Sequence, residues 1–327
     1  MAREGFRNSA RLILITGLCA MAILTLSSGP NATEVEKAIS AKVIEIVGQV
    51  EVGAPGQPAG GATAGDFIHE GEQLIIPRGG SATLAMYDKT LREFTGPSTV
   101  TISRDKVESG TVLGNLTAAV ADMLFSSSRP SSQAVMATRA IGDASDEVSL
   151  PILTQPAPGE NLISMPRQFK WFGIRGVPLY RITVYSASEM MWQATSAETD
   201  VRWPAKDCNF DPGQTYYWVV EALVGNTTLR SEAGDFTLLE KESAADLLKV
   251  LDEAAASVSE PARALALQAR LCLDMRAYSR ALEVLNASIE SAPTPEAFAL
   301  RAEVNEALGL KEQAVSDYRR AVDLTPH

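Results

Sequence analysis

The sequence predicts a multidomain chain in which two all-β domains precede an all-α helical-repeat domain. Three observations predict it. Between residues 41 and about 115, apolar residues recur at every second position between glycine and proline clusters, the pattern of short half-buried strands. From 150 to 239 the period of two returns, now rich in aromatic residues. From 243 onward glycine becomes scarce and the apolar spacing lengthens to that of amphipathic helices. A chain of 327 residues that is 46% hydrophobic can fill several cores.

Residues 1–33 read as an export signal or an N-terminal anchor. Arg3, Arg7 and Arg11 precede the apolar run Leu12–Leu26. Fifteen residues, interrupted by Thr16, Gly17 and Thr25, fall short of the roughly 20 that span a bilayer. A basic start and a short apolar stretch fit a signal peptide, and an uncleaved anchor is the alternative. Leu18 precedes Cys19 where a lipoprotein motif wants a small residue, so lipidation is set aside. The expected address is the periplasm or cell envelope, with membrane attachment only through this segment if it stays uncleaved. Without it the chain keeps 26 basic and 39 acidic residues, a net charge of −13. Such a surface repels nucleic acid, and nucleic-acid binding is excluded. Cys208 and Cys272 fall in different expected domains, which argues against a disulfide and for buried thiols.

The first β-domain is expected over 41–125. In "KVIEIVGQVEV", Ile44 and Ile46 alternate onto one face. "SATLAMYD" places Ala82, Leu84 and Met86 together, and "STVTISR" points Val100 and Ile102 inward. "LTAAVADMLF" is apolar at helical spacing through Leu116, Val120 and Leu124, a short helix for packing on the sheet. The steps "VIEIVGQVEV", "AGDFIHEGEQLIIPRGGSATLAMYD" and "STVTI" resemble the FecR-type domain of bacterial envelope proteins. Gly48, Val50, Gly65, Asp66, Gly71 and Asp88 carry the match over roughly 75 residues. Family members that regulate iron uptake hold a cytoplasmic anti-sigma segment before their membrane span. Only about ten residues precede the apolar run here, so that signalling role is not carried over.

Residues 126–149, opening on "SSSRPSSQ", are a linker by composition. The second β-domain is expected over 150–240, with strands in "RQFKWFG", "YRITVYSA", "MMWQATSA" and "TYYWVVEALV". Tyr216, Trp218, Val220 and Ala222 alternate into one buried face. The step Phe210 to Tyr216, "FDPGQTY", is similar to the corner before a late strand in fibronectin type III and immunoglobulin-like domains, where the tyrosine hydroxyl bonds back to backbone. Trp171 would be the core tryptophan. The antibody cysteine pair is absent, which favours the fibronectin-like variant.

Residues 243–327 hold an internal repeat 33 residues apart. Ala269, Ala281, Leu285 and Pro293 map onto Ala302, Ala314, Tyr318 and Pro326, small residues where helices cross and large ones where they interlock. The pattern is similar to the tetratricopeptide repeat. Arg276 replaces the turn glycine that Gly309 supplies, so an irregular first turn is expected. Two repeats and a flanking helix must bury their faces on neighbours, on the β-domain or on another chain.

No catalytic, cofactor-binding or metal constellation is expected, and the chain is expected not to be an enzyme. Asp66, His69, Glu70 and Glu72 crowd together, but one histidine at such spacing is poor metal geometry. A polar turn with Gly65 and Gly71 at positive φ is the plainer account. A serine triad would have only His69 and His327, and there is no G-x-S-x-G elbow, P-loop or G-x-G-x-x-G. Asp246/Asp252 and Asp143/Asp146 read as solvated carboxylates. The resemblance to helical repeats implies a peptide groove along the first helix of each unit. There the candidate partner-binding residues are Arg263, Arg270 and Asp274, then Glu296, Glu303 and Glu306. The repeat converts Arg263 and Arg270 into Glu296 and Glu303. Either this is a bipolar groove for a charged partner segment, or the two rows pair with each other as salt bridges, each under about 1 kcal/mol. The expected function is a non-enzymatic scaffold that binds a protein through this groove, with a cell-wall glycan as a second ligand, through the FecR-like domain. An anchored envelope sensor and a cell-wall enzyme are the alternatives.

Overall fold

In the computed structural model of the chain, residues 38–105, 107, 109–126, 150–203 and 210–325 are described. The segment 1–33, the linker after Ser126, Cys208 and His327 lie outside them, so the expectations for these rest on sequence. No helix among the described residues is long and apolar enough to cross a membrane. The layout is β-rich first and helical last.

The first β unit has two antiparallel sheets. One is formed by β1 (Ile39–Val47), β4 (Phe67–His69), β6 (Ser81–Met86), β7 (Thr90–Thr95) and β9 (Thr111–Asn115), in the order β4-β1-β6-β7-β9. The other is formed by β2 (Glu51–Gly53), β3 (Gly60–Gly61), β5 (Gln73–Ile76) and β8 (Ser98–Thr101), in the order β3-β2-β5-β8. Val43, Ile68, Leu74, Leu84, Met86, Phe94 and Ile102 fill the space between them. Ile44 and Ile46 do not share a face. A bulge between Val43 and Glu45 separates them, so Ile46 joins this core while Ile44 points out of it with Ala85 and Leu91. The outward face is also buried, and β1 is therefore buried at five successive positions, Ser40 to Ile44. A strand covered on both sides loses its polar alternation.

The second β unit pairs a three-stranded sheet with a six-stranded one. The first comprises β10 (Ile152–Gln155), β12 (Gln168–Phe172) and β15 (Asp200–Arg202), in the order β10-β12-β15. The second comprises β11 (Glu160–Leu162), β13 (Leu179–Tyr185), β14 (Met190–Ser196), β16 (Gln214–Val224), β17 (Thr227–Arg230) and β18 (Gly234–Leu238). Its order is β11-β18-β16-β13-β14, with β17 also on β16. Tyr216, Trp218, Val220 and Ala222 face a core with Phe169, Trp171, Trp203 and Phe236. The Tyr216 hydroxyl accepts from Asp211 N at 2.6 Å and reaches Asp211 O at 3.3 Å, fixing the corner into β16.

The helices are α1 (Ala118–Ser126), α2 (Lys241–Ser257), α3 (Pro261–Asp274), α4 (Tyr278–Ser291), α5 (Pro295–Ala307) and α6 (Lys311–Leu324). Proline opens α3 and α5, where its missing N–H costs nothing, and Thr294 caps α5 by accepting from Ala297 N. Buried Ala269, Ala281, Ala302 and Ala314 let the helices approach closely. The outward face of the five-stranded sheet, with Ile44, Leu91, Leu113 and Leu116, shares one core with α1, α2, α3 and α4. The helical part thus leans on the first β unit.

The turn between α3 and α4 is regular. Arg276 takes φ 55° where Gly309 takes 73°. Ala277 N donates to Cys272 O as Leu310 N does to Asn305 O, at 2.8 and 2.7 Å. Arginine bears the left-handed cost, about 1 kcal/mol, and the second β unit grips this turn. Asn161 N donates to Arg276 O at 3.0 Å, and Asn161 Nδ2 to Met275 O at 2.9 Å.

Candidate functional site

The histidine cluster resolves into turn chemistry. Gly65 and Gly71 sit at φ 94° and 80°, as the turn requires. Asp66 accepts from Thr63 N and Oγ1 at 2.7 and 3.0 Å. Glu72 accepts from His69 N at 2.8 Å and lies 3.4 Å from His69 Nδ1. Glu70 accepts from Ser40 Oγ and from Arg104 N, each at 2.7 Å. The Ser40 hydroxyl, then the Arg104 amide, hold its carboxyl below the ordinary range. Among the described residues no group of His, Cys, Asp or Glu could hold a metal. His69→Ala is expected to change stability by under about 1 kcal/mol, as for an exposed ion pair. Asp66→Ala is expected to cost about 1 to 2 kcal/mol through two lost hydrogen bonds. Urea denaturation checks both, and an His69→Ala loss above that of Asp66→Ala would contradict the assignment.

The six groove residues divide between two environments. Arg263 does not face an open groove: its guanidinium lies between Glu45 of β1, at 3.1 Å, and Glu93 of β7. Asp274 is largely covered at the end of α3, its side chain 11% exposed, 3.1 Å from Lys42 Nζ of β1. Burial raises its pKa, and Lys42 opposes the rise. The first β unit therefore covers the α3 face, and its own charges complement it: Lys42 against Asp274, Glu45 and Glu93 against Arg263. Arg270 and Glu303 form a two-pronged ion pair, Nη2 to Oε1 at 2.9 Å, which is the pairing of rows weighed from sequence.

The α5 face stays open. Glu296 and Glu306 are exposed and Glu303 is half-exposed. Glu306 accepts from the Tyr318 hydroxyl at 3.0 Å. Burial, then the bond to Glu306, pushes the phenol up to about 12. Arg301 and Asn305 converge on buried Asp317, at 2.9 and 3.0 Å to Oδ2, and lock α5 to α6 behind that face. Cys272 is buried, and desolvation pushes its thiol up to about 12, out of the reactive range.

Sequence reasoning missed the residues that join the units: Lys42, Glu45 and Glu93, and Glu160 with Asn161. Lys42 gave one signal, a cation inside a strand whose neighbours are apolar. Glu160 gave none, since an acid after a Pro-Gly turn looks solvated. No protein-family model matches the chain, and no curated protein matches it.

Proposed function

We propose that the chain is an exported, non-enzymatic envelope scaffold that holds a basic segment of a partner protein on the α5 face. The observation that carries this is the asymmetry of the helical face. On α3, Arg263 and Asp274 are engaged by the first β unit and Arg270 by Glu303, while on α5 Glu296 and Glu306 stay exposed. An acidic chain adds long-range attraction for a basic partner. In this reading the first unit is FecR-like, supported by Gly48, Gly65 and Gly71 all at positive φ. The second is fibronectin type III-like, supported by the Tyr216 corner and the two-sheet arrangement. The helical part is tetratricopeptide-like, supported by matching turns 33 residues apart. The committed carboxylates of the Asp66–Glu72 turn favour a binding role over a catalytic one.

Retention of envelope proteins on the immobilised chain tests it. Glu296→Lys/Glu306→Lys is expected to reduce retention of the bound partner at least tenfold. Retention should also fall as salt rises from about 50 to 500 mM, because exposed charges are screened. Undiminished retention by the double variant would remove the α5 face from the function.

A further inference from the structure

A cleft of about 470 Å³ lies away from the α5 face, between the second β unit and helices α2 and α4. That size suits a short peptide or small ligand, and junctions between units are where such sites concentrate. One wall is the bent segment after β11, residues Ile163 to Arg167; the other is built by Leu248 of α2 and Leu282 of α4. Ile163, Met165, Leu248 and Leu282 are each only partly covered, so two cores show unfinished apolar surface to the same space.

Two further observations say what would finish it. β11 is the end strand of its sheet. Its main chain is engaged at Asn161 by Arg276 O and at Leu162 by Leu239 N. The next three residues, Ile163, Ser164 and Met165, make no main-chain hydrogen bond to any described residue. That leaves the main-chain donors and acceptors of three residues, two of them in a bend, open to the main chain of a bound peptide. The second is charge. Arg167 is exposed, and its side chain pairs with no described residue. Arg280 gives Nη1 to Glu283 at 3.0 Å, while its buried Nε has no acceptor. A buried donor left unpaired is costly, and a carboxylate is the acceptor that suits a guanidinium best.

We propose that this cleft takes an extended acidic–apolar peptide segment. Its main chain pairs with Ile163–Met165, its apolar side chains cover Leu248 and Leu282, and its carboxylates meet Arg167 and Arg280. The site stands whether or not the α5 face binds a basic partner, since the two share no residue and select opposite charge.

Fluorescence anisotropy on the full chain tests it with three labelled nonapeptides: one of alternating valine and serine bearing two aspartates, one with lysines in their place, and the acidic one with alternate amides methylated. The acidic peptide is expected to bind, the basic and methylated ones at least tenfold more weakly. Arg167→Gln/Arg280→Gln and, separately, Leu282→Arg are each expected to weaken the acidic peptide at least tenfold. Glu296→Lys/Glu306→Lys should leave it unchanged. Absent binding at millimolar peptide, equal binding of all three peptides, or unchanged affinity in both cleft variants would overturn the proposal. An Arg pair variant that binds normally while Leu282→Arg does not would overturn the carboxylate contacts.

Discussion

Lys42→Met is expected to destabilise the protein by about 3 to 5 kcal/mol, the loss typical when one partner of a buried ion pair is removed. Lys42 is buried on the outward face of β1, and its ammonium serves at least three groups. It lies 3.1 Å from Asp274 Oδ1, reaches Leu124 O at 3.3 Å, and sits 5.6 Å from the centre of the Phe67 ring. Leu124 is in the last turn of α1, where carbonyls lack helical partners. Asp274 is the last residue of α3, where the helix dipole disfavours an anion, and its Oδ2 is buried without a hydrogen bond. Asp274 is thus tolerated because Lys42 is there. Methionine keeps the apolar stem and removes the ammonium, with its bond to Leu124 O, so the loss reports polar interactions more than packing. Lys42→Met/Asp274→Leu is expected to recover most of the stability, since a buried pair replaced by apolar groups is often neutral.

The pH dependence has a definite sign. Removing Lys42 removes the group that holds the Asp274 pKa down, so in the variant it rises further. A carboxyl whose folded pKa is raised contributes stability below its unfolded pKa, and that contribution is lost as pH rises through the folded value. The Lys42→Met deficit is therefore largest near neutral pH and shrinks toward pH 4. Urea titrations of both proteins across that range check it, and a deficit that grows on acidification would refute the assignment.

The period-two segments, the aromatic face of β16 and the 33-residue helical repeat were legible because each reports a local burial pattern. The Ile44/Ile46 face was misread because periodicity assumes an unbroken ladder, and a bulge is decided by how β1 pairs with β6. The α3–α4 turn was misread for a related reason. A glycine preference describes an isolated turn, whereas Arg276 is held at φ 55° by Asn161 from 115 residues earlier. The charged rows on α3 and α5 were visible in sequence, but their fates diverge because only α3 lies under β1. Which charges meet across two units is a property of docking, and no local pattern encodes it.

The same limit applies to Glu160, whose loss is expected to cost about 2 to 4 kcal/mol as Glu160→Ala. It is fully buried in β11, and its two oxygens serve two different units. Oε2 accepts from Ala157 N at 2.8 Å within its own turn, and Oε1 accepts from Ser279 N at 2.7 Å in the first turn of α4. The α4 N-cap, Ala277, has no side-chain oxygen to offer, so Glu160 caps the helix from across the interface. Alanine leaves two buried amides without acceptors, each worth about 1 to 2 kcal/mol. Glu160→Gln keeps one oxygen but turns an NH₂ toward the other amide, and is expected to lose about half as much. Burial raises the Glu160 pKa despite the bonds from Ser279 and Ala157. Its contribution is then complete below the unfolded value of 4.5 and declines as pH rises through the raised folded value. Glutamine cannot titrate, and Asp274 is common to both proteins, so the gap between wild type and Glu160→Gln should widen as pH falls from 7 toward 4.5. A gap that narrows over that window would mean that the anion is the favoured buried form, with the helix N-terminus outweighing desolvation.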